Sequence, residues 1–215
     1  MKRNVVKTQQ KTGKALSNMK EIEVKIRIKN PEEITKKLNS LGYEVKERIF
    51  QRTYRCWRPD RLFSRAGIFP RTRYEKSEGK EKHTFTVKSR FKDPERGLFE
   101  REEYEVEVED AGKVAKMLAL MGMSDQRILE KERIVFSKKG QQISSVLLDR
   151  LCFGTYLEIE GEKEAIDELV KKLKLENEER LGMAYWDVYW HYCKNKGINE
   201  KKDLILEDYQ GQGHI

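Results

Sequence analysis

Three cysteines, Cys56, Cys152 and Cys193, are spread over the 215 residues, and no two stand at C-x-x-C spacing. That excludes a zinc knuckle and a disulfide framework, and reduced thiols are the expectation. No run approaches 18 apolar residues, so no membrane-spanning helix is expected. The first 20 residues are basic but lack the apolar stretch of a secretion signal, and the expected location is cytoplasmic. Of three histidines, His83 and His191 have no ligand partner at a useful spacing and read as ordinary polar residues. No internal repeat or low-complexity tract is present.

Residues 1–20 also lack any acid. Lys2, Arg3, Lys7, Lys11, Lys14 and Lys20 account for six of the net +8, leaving +2 for the other residues. The basic balance is therefore a property of the tail. Residues 1–18 read as a disordered basic tail that touches nucleic acid without specificity at most. No specific nucleic-acid partner and no membrane is expected, and the reading leaves room for a homodimer. Residues 19–196 read as one domain, and 197–215 as a polar C-terminal tail or short helix.

What the sequence has in abundance is alternation. In "EIEVKIRIK" (21–29) the charged residues fall on one parity, and Ile22, Val24, Ile26 and Ile28 on the other, which is the period of a strand. Asn30-Pro31 then opens a helix with Ile34, Leu38 and Leu41 on one face, closed by Gly42. Extended segments follow at 43–57, 68–75, 82–91 and 99–109, with a loop at 58–67. Asp110 caps a second helix. Residues 129–136 and 144–151 form a hairpin, 155–161 a further strand, and 162–174 and 183–193 two more helices. Trp186, Tyr189 and Trp190 on the last helix read as packing, with some of them closing one mouth of the fold. The sum is an α+β protein whose hairpins suggest a barrel or a strongly curved sheet; the expected fold is a closed or nearly closed eight-stranded antiparallel β-barrel with flanking helices.

The charges gather on one parity in each strand. They are Glu21, Glu23, Lys25 and Arg27, then Arg71 and Arg73, Lys88, and Arg101, Glu103 and Glu105. Lys131 and Arg133, Asp149, and Glu158 and Glu160 complete the set, giving eight bases and seven acids. Any one such strand is explained by a wet sheet face. The set is different, because like charges recur two residues apart. The helices carry apolar stripes that need the Ile/Val/Leu face, so a barrel with helices outside turns the charges inward. An interior so charged must stay wet or hold a charged ligand. Clustered carboxylates suit a hard divalent cation, Mg2+ or Mn2+. Clustered arginine and lysine suit phosphate oxygens. A polyphosphate with its metal ions satisfies both.

The motif "EIEVK", followed in order by "RTR", "TVK", "REEYE", "EKER", "LLDRL", "TYLEIEG" and "AYWDVY", resembles the CYTH family, the triphosphate tunnel metalloenzymes, over about residues 20–192. The resemblance implies an eight-stranded tunnel. It further implies metal ligation by Glu21, Glu23, Asp149, Glu158 and Glu160. The triphosphate cradle it implies consists of Lys25, Arg71, Arg73, Lys88, Arg101, Lys131 and Arg133, with Lys25, Lys131 and Arg133 catalytic. Glu103 and Glu105 fall in a less uniform part of the pattern. Two departures stand out: Pro70 precedes Arg71 where the family pattern has leucine-arginine-x-arginine, and "QRTYR" replaces an acid-threonine-tyrosine. The implied activity is that of a class IV adenylyl cyclase, or of an inorganic tripolyphosphatase or a thiamine or nucleoside triphosphatase. The partner is a nucleoside or inorganic triphosphate. "CFGTYLEIE" and "LEKER" resemble the cyclase branch, while a non-catalytic polyphosphate or nucleotide binder is the reading of another class.

Overall fold

A computed structural model describes residues 22–93, 98–140 and 143–208. The basic tail (1–18) and Glu21 lie outside the described residues. Nine strands form a single antiparallel sheet: β1 (Ile22–Ile28), β2 (Glu44–Trp57), β3 (Ile68–Ser77), β4 (Lys80–Asp93), β5 (Leu98–Glu107), β6 (Asp125–Ser137), β7 (Ile143–Leu151), β8 (Gly154–Gly161) and β9 (Arg180–Leu181). Their spatial order is β5-β4-β3-β2-β6-β7-β8-β1-β9.

The eight-strand closed barrel is corrected by this order. Among the described residues the sheet has nine strands and is not closed. Closure would require β5 to pair with β1, but the outer edge of β1 is taken at Lys25 and Ile26 by β9. Over residues 103–107 the side chains of β5 are exposed as well: Tyr104 is 65% and Val106 56% exposed on the parity expected to pack.

The helices are α1 (Pro31–Ser40), α2 (Leu62–Arg65), α3 (Ala111–Leu120), α4 (Lys163–Lys172) and α5 (Tyr185–Lys196). The N-caps of α1 and α3 are those the sequence marks. Asn30 accepts from the Glu33 N–H at 3.1 Å and Asp110 from the Lys113 N–H at 2.9 Å, each satisfying a first-turn donor. The apolar parity of β1, β6, β7 and β8 (Ile26, Ile134, Val146, Leu148, Leu157, Ile159) meets Ile34 and Leu38 of α1 and Ile166, Leu169 and Val170 of α4 in one core. A smaller core under α3 joins Ala115 and Leu118 to Cys56, with Tyr54 and Phe85 against it. Helices thus cover the apolar face, as the parity requires.

α5 does the opposite. Trp186 and Tyr189, with Tyr185, pack on Leu129, Leu151 and Tyr156, which lie on the charged parity, and on Phe153 in the turn between β7 and β8. The stretch beyond α5 also enters this third core. Leu204 is fully buried, its N–H donates to the Ile128 carbonyl, and its carbonyl accepts from the Glu130 N–H, both at 2.8 Å. It occupies the edge of β6 that β7 leaves open, since β7 pairs with β6 only over Glu132–Phe136. A single 3-10 turn, Leu206–Asp208, follows.

Candidate functional site

Strand register decides which charges share a face, because side chains directly opposite across a ladder point to the same side. Across β1 and β8, Lys25 faces Glu158 and Glu23 faces Glu160. Arg133 of β6 faces Asp149 of β7. Lys131 faces Gln51 of β2, which in turn faces Glu75 of β3. Arg71 and Arg73 of β3 face Thr86 and Thr84 of β4, and Lys88 faces Glu103 of β5. Every described residue of the expected set therefore lies on one face. Arg101 sits on β5 opposite Arg90, on the same parity.

The centre of this face is a buried ion network. Asp149 is fully buried and accepts four hydrogen bonds: from Arg133 Nε and Nη2, both at 2.6 Å, from Lys131 Nζ at 2.8 Å and from the Tyr185 hydroxyl at 2.9 Å. Arg133 Nη2 also reaches Glu158 Oε1 at 3.2 Å. Lys25 pairs with Glu23, and its Nζ lies 3.7 Å from Glu158 Oε2. Lys25 and Lys131 each stand 5.1 Å from the centre of the Tyr185 ring, so one aromatic ring carries two ammonium groups.

The electrostatics follow from this packing. Burial, then the neighbouring Arg133, pulls Lys131 down to about 8. Burial also lowers Lys25, against the pull of Glu158. Burial alone would raise Asp149, but Arg133 and Lys131 outweigh it and hold the carboxyl well below the usual carboxylate range. Burial followed by Asp149 drives the Tyr185 hydroxyl far above its ordinary value, so it remains a donor.

A second group lies across β3, β4 and β5. Arg71 Nη2 is 3.3 Å from Glu103 Oε1, Lys88 Nζ is 2.7 Å from Glu103 Oε2, and Thr86 donates to Glu105 at 3.0 Å. Arg73 donates from Nε to Thr53 Oγ1 at 3.2 Å, and Nη1 is 3.5 Å from Glu75. Burial, then Arg71, lowers Arg73 to about 10. Buried Nε of Arg71 has no hydrogen-bond partner among the described residues, and neither has Oε1 of Gln51.

The expected metal ligands are less gathered than the bases. Among the described residues no three carboxylates, thiols or imidazoles converge as a ligand set. Asp149 has both oxygens committed to Lys131, Arg133 and Tyr185. Glu23 and Glu160, however, oppose each other across β1 and β8, a like-charge pair that a cation would relieve, with Glu158 two residues away. Oxygen donors of this kind suit a hard divalent cation, so the facing pair Glu23 and Glu160 fits the start of a seat for one although no third ligand converges on it among the described residues, while Asp149 holds Lys131 and Arg133.

Four contributors lay outside the sequence reading. Gln51, Thr53 and Arg55 share the face through the parity of β2, but that strand shows no like-charge pair to draw attention. Tyr185 belongs to the aromatic run, where nothing in the spacing separates a packing ring from one that touches the site. Of the two departures, Arg52 lies on the other parity and pairs with Glu130, so the lost acid leaves no charge on this face. Pro70 sits on the outward parity of β3, beside Val87. Cavities of about 220 and 200 Å3 lie elsewhere, one beside Tyr43 and Leu169 and one beside Asn30 and Lys174.

An antiparallel sheet whose one face is lined by interlocked bases and carboxylates is a scaffold suited to a charged ligand. The CYTH domain model matches residues 19–184, and the chain belongs to that family, whose members bind triphosphates and generally use divalent metals. Among solved structures, the PH1819 protein from Pyrococcus horikoshii OT3 is 24% identical with a TM-score of 0.57, covering 80% of this chain and 99% of its own. A putative adenylate cyclase from Vibrio parahaemolyticus is 19% identical with a TM-score of 0.52, over 78% and 96%. HpAC1 from Hippeastrum, described as a putative adenylyl cyclase with a dominant triphosphatase activity, is 16% identical with a TM-score of 0.52, over 84% and 98%. These likenesses show the fold. No curated protein sequence matches the chain.

Proposed function

We propose that this chain is a divalent-metal-dependent enzyme that hydrolyses a triphosphate held against the charged face. The observation that supports this most directly is the graded set of bases on one face, with Lys131 and Arg133 fixed by a buried Asp149. Arg71, Arg73, Lys88 and Lys25 bind the phosphate oxygens from the flanking strands, and Lys131 and Arg133 hold the centre. Charge developing on those oxygens is stabilised by donors already in position, which is where most of the rate arises in phosphoryl transfer. Lys131, with its proton held near 8, can hand that proton to the departing phosphate oxygen. Glu23, Glu158 and Glu160 would hold Mg2+ or Mn2+, which when bound neutralises phosphate charge.

The class IV adenylyl cyclase reading shares all of these residues and differs in the nucleophile, the ribose hydroxyl in place of water. It also requires a seat for adenine. The aromatic faces nearest the bases are already covered: Tyr185 by Lys25 and Lys131, and Trp57 by arginines. Hydrolysis is therefore the better-supported outcome. Incubating the protein with tripolyphosphate, ATP or thiamine triphosphate and either metal, then separating the products, tests it. Orthophosphate release is expected, cyclic AMP with pyrophosphate would install the cyclase instead, and tight binding without turnover would leave a binding module.

A further inference from the structure

Beyond the cradle, the charged face continues into a row of three arginines that carboxylates match incompletely: Arg71 shares Glu103 with Lys88, Arg127 has only Asp125 at 3.9 Å, and Arg55 pairs with none among the described residues. Arg55 of β2 stands opposite Arg71 of β3 on one side and opposite Arg127 of β6 on the other. Neighbouring strands are about 4.8 Å apart, so the row spans roughly 10 Å. Like charges opposed in this way destabilise a sheet unless something neutralises them. Among the described residues, Arg55 makes no hydrogen bond or ion pair. Its guanidinium lies over the Trp57 ring, 5.6 Å from the centroid, and Asp187 of α5 acts on it through space. Arg127 Nε is buried and has no hydrogen-bond partner, with Asp125 Oδ1 at 3.9 Å. Asp125 is in turn held by Arg61 at 2.8 Å. Arg71 Nε, at the cradle end of the row, is also unpartnered. Burial, opposed by Asp187, lowers Arg55 to about 10, which marks a guanidinium short of both water and anion.

The occupant is an anion rather than a base. The Trp57 ring is approached by Arg55, Arg61 and Arg127 at 5.6, 4.9 and 5.5 Å, so a nucleobase would have to displace a guanidinium to stack there. The row supplies donors only, in the planar fork that matches phosphate oxygens. It is also continuous with Arg71, so an anion there can be part of the same molecule as the triphosphate. We infer that Arg55 and Arg127 form a subsite for phosphate groups beyond the third, making linear inorganic polyphosphate longer than tripolyphosphate the preferred ligand of this face.

The inference builds on the triphosphate reading, and the test separates the two. Affinity by titration calorimetry and turnover with Mg2+ or Mn2+ are measured for tripolyphosphate, for linear polyphosphate of about ten phosphates and for ATP. The proteins are the wild-type chain, Arg55→Met, Arg127→Met and the surface control Arg48→Met. Each charge-assisted contact to phosphate changes an equilibrium by about tenfold. Wild type is therefore expected to favour the longer chain over tripolyphosphate by at least about tenfold, and both variants to bring that ratio close to one while the control retains it. A wild-type ratio near one, or a ratio unchanged in both variants, overturns the subsite. Loss of ATP affinity with the polyphosphate ratio intact overturns it too, by giving the arginines to the nucleoside. Arg55-dependent binding of the longer chain without turnover of any substrate would keep the subsite and refute the hydrolase.

Discussion

Asp149 shows how much one buried carboxylate can organise. Its four hydrogen bonds fix Lys131, Arg133 and Tyr185 at once, and replacing one partner of such a network leaves charges buried without compensation. Asp149→Asn is expected to lower the stability by about 3–5 kcal/mol, read as a shift of the urea midpoint with unchanged slope. A variant within about 1 kcal/mol of wild type would show that the network is not held together by that charge. Lys131 gives a pH signature. Its ordinary value is 10.5 and its folded value about 8, so between these the unfolded chain binds more protons than the folded one. Stability therefore gains from this group as pH rises across that window, because a buried positive charge is relieved. Affinity for tripolyphosphate changes in the other direction, since the ligand needs the ammonium. Calorimetry at pH 7 and 9.5 should show a loss of about tenfold in wild type and a much smaller loss in Lys131→Arg, whose guanidinium keeps its charge. Equal losses in both would assign the alkaline fall to another group.

At the scale of elements, strand parity and helix caps were legible, and pairing partners were not. The alternation in "EVKIRI" and "TYLEIEG" puts Glu23, Lys25, Arg27, Glu158 and Glu160 on one face, because the side-chain period of a strand is fixed by its backbone. Asn30 and Asp110 announce α1 and α3 through their side-chain chemistry. Nothing local reports who sits at a sheet edge. β9 is two residues long, too short to carry a period, yet it occupies the β1 edge that a closed barrel needs. Leu204 has the same character. It is a lone apolar residue in a charged stretch, and only the free edge of β6 makes it core. Leu204→Ala is expected to cost about 2–5 kcal/mol in thermal or urea unfolding, as for other fully buried leucines. A cost near zero would return the segment to the status of a tail.

Seen whole, the molecule has nearly balanced its own site. Lys25 is held by Glu23 and Glu158, Arg133 by Asp149 and Glu158, Lys88 and Arg71 by Glu103, and Arg73 by Glu75. A triphosphate arriving alone must compete with these carboxylates for every base and would leave them close to its own negative charge. On the proposed function a divalent cation would change the exchange: acids such as Glu23, Glu158 and Glu160 would turn to the metal, and the bases they hold would become free for phosphate. Metal and triphosphate should consequently bind with positive coupling, each raising the affinity of the other by the same factor. The expectation is that Mn2+ or Mg2+ strengthens tripolyphosphate binding by at least about tenfold. Glu158→Gln should remove most of that enhancement, since it frees Lys25 and Arg133 while weakening the seat for the cation. Calorimetric titrations of wild type and Glu158→Gln, with and without metal, measure the coupling directly. The same metal enhancement in both proteins would show that the cation acts on the free ligand alone, and that the acids of this face serve only to hold the bases in place.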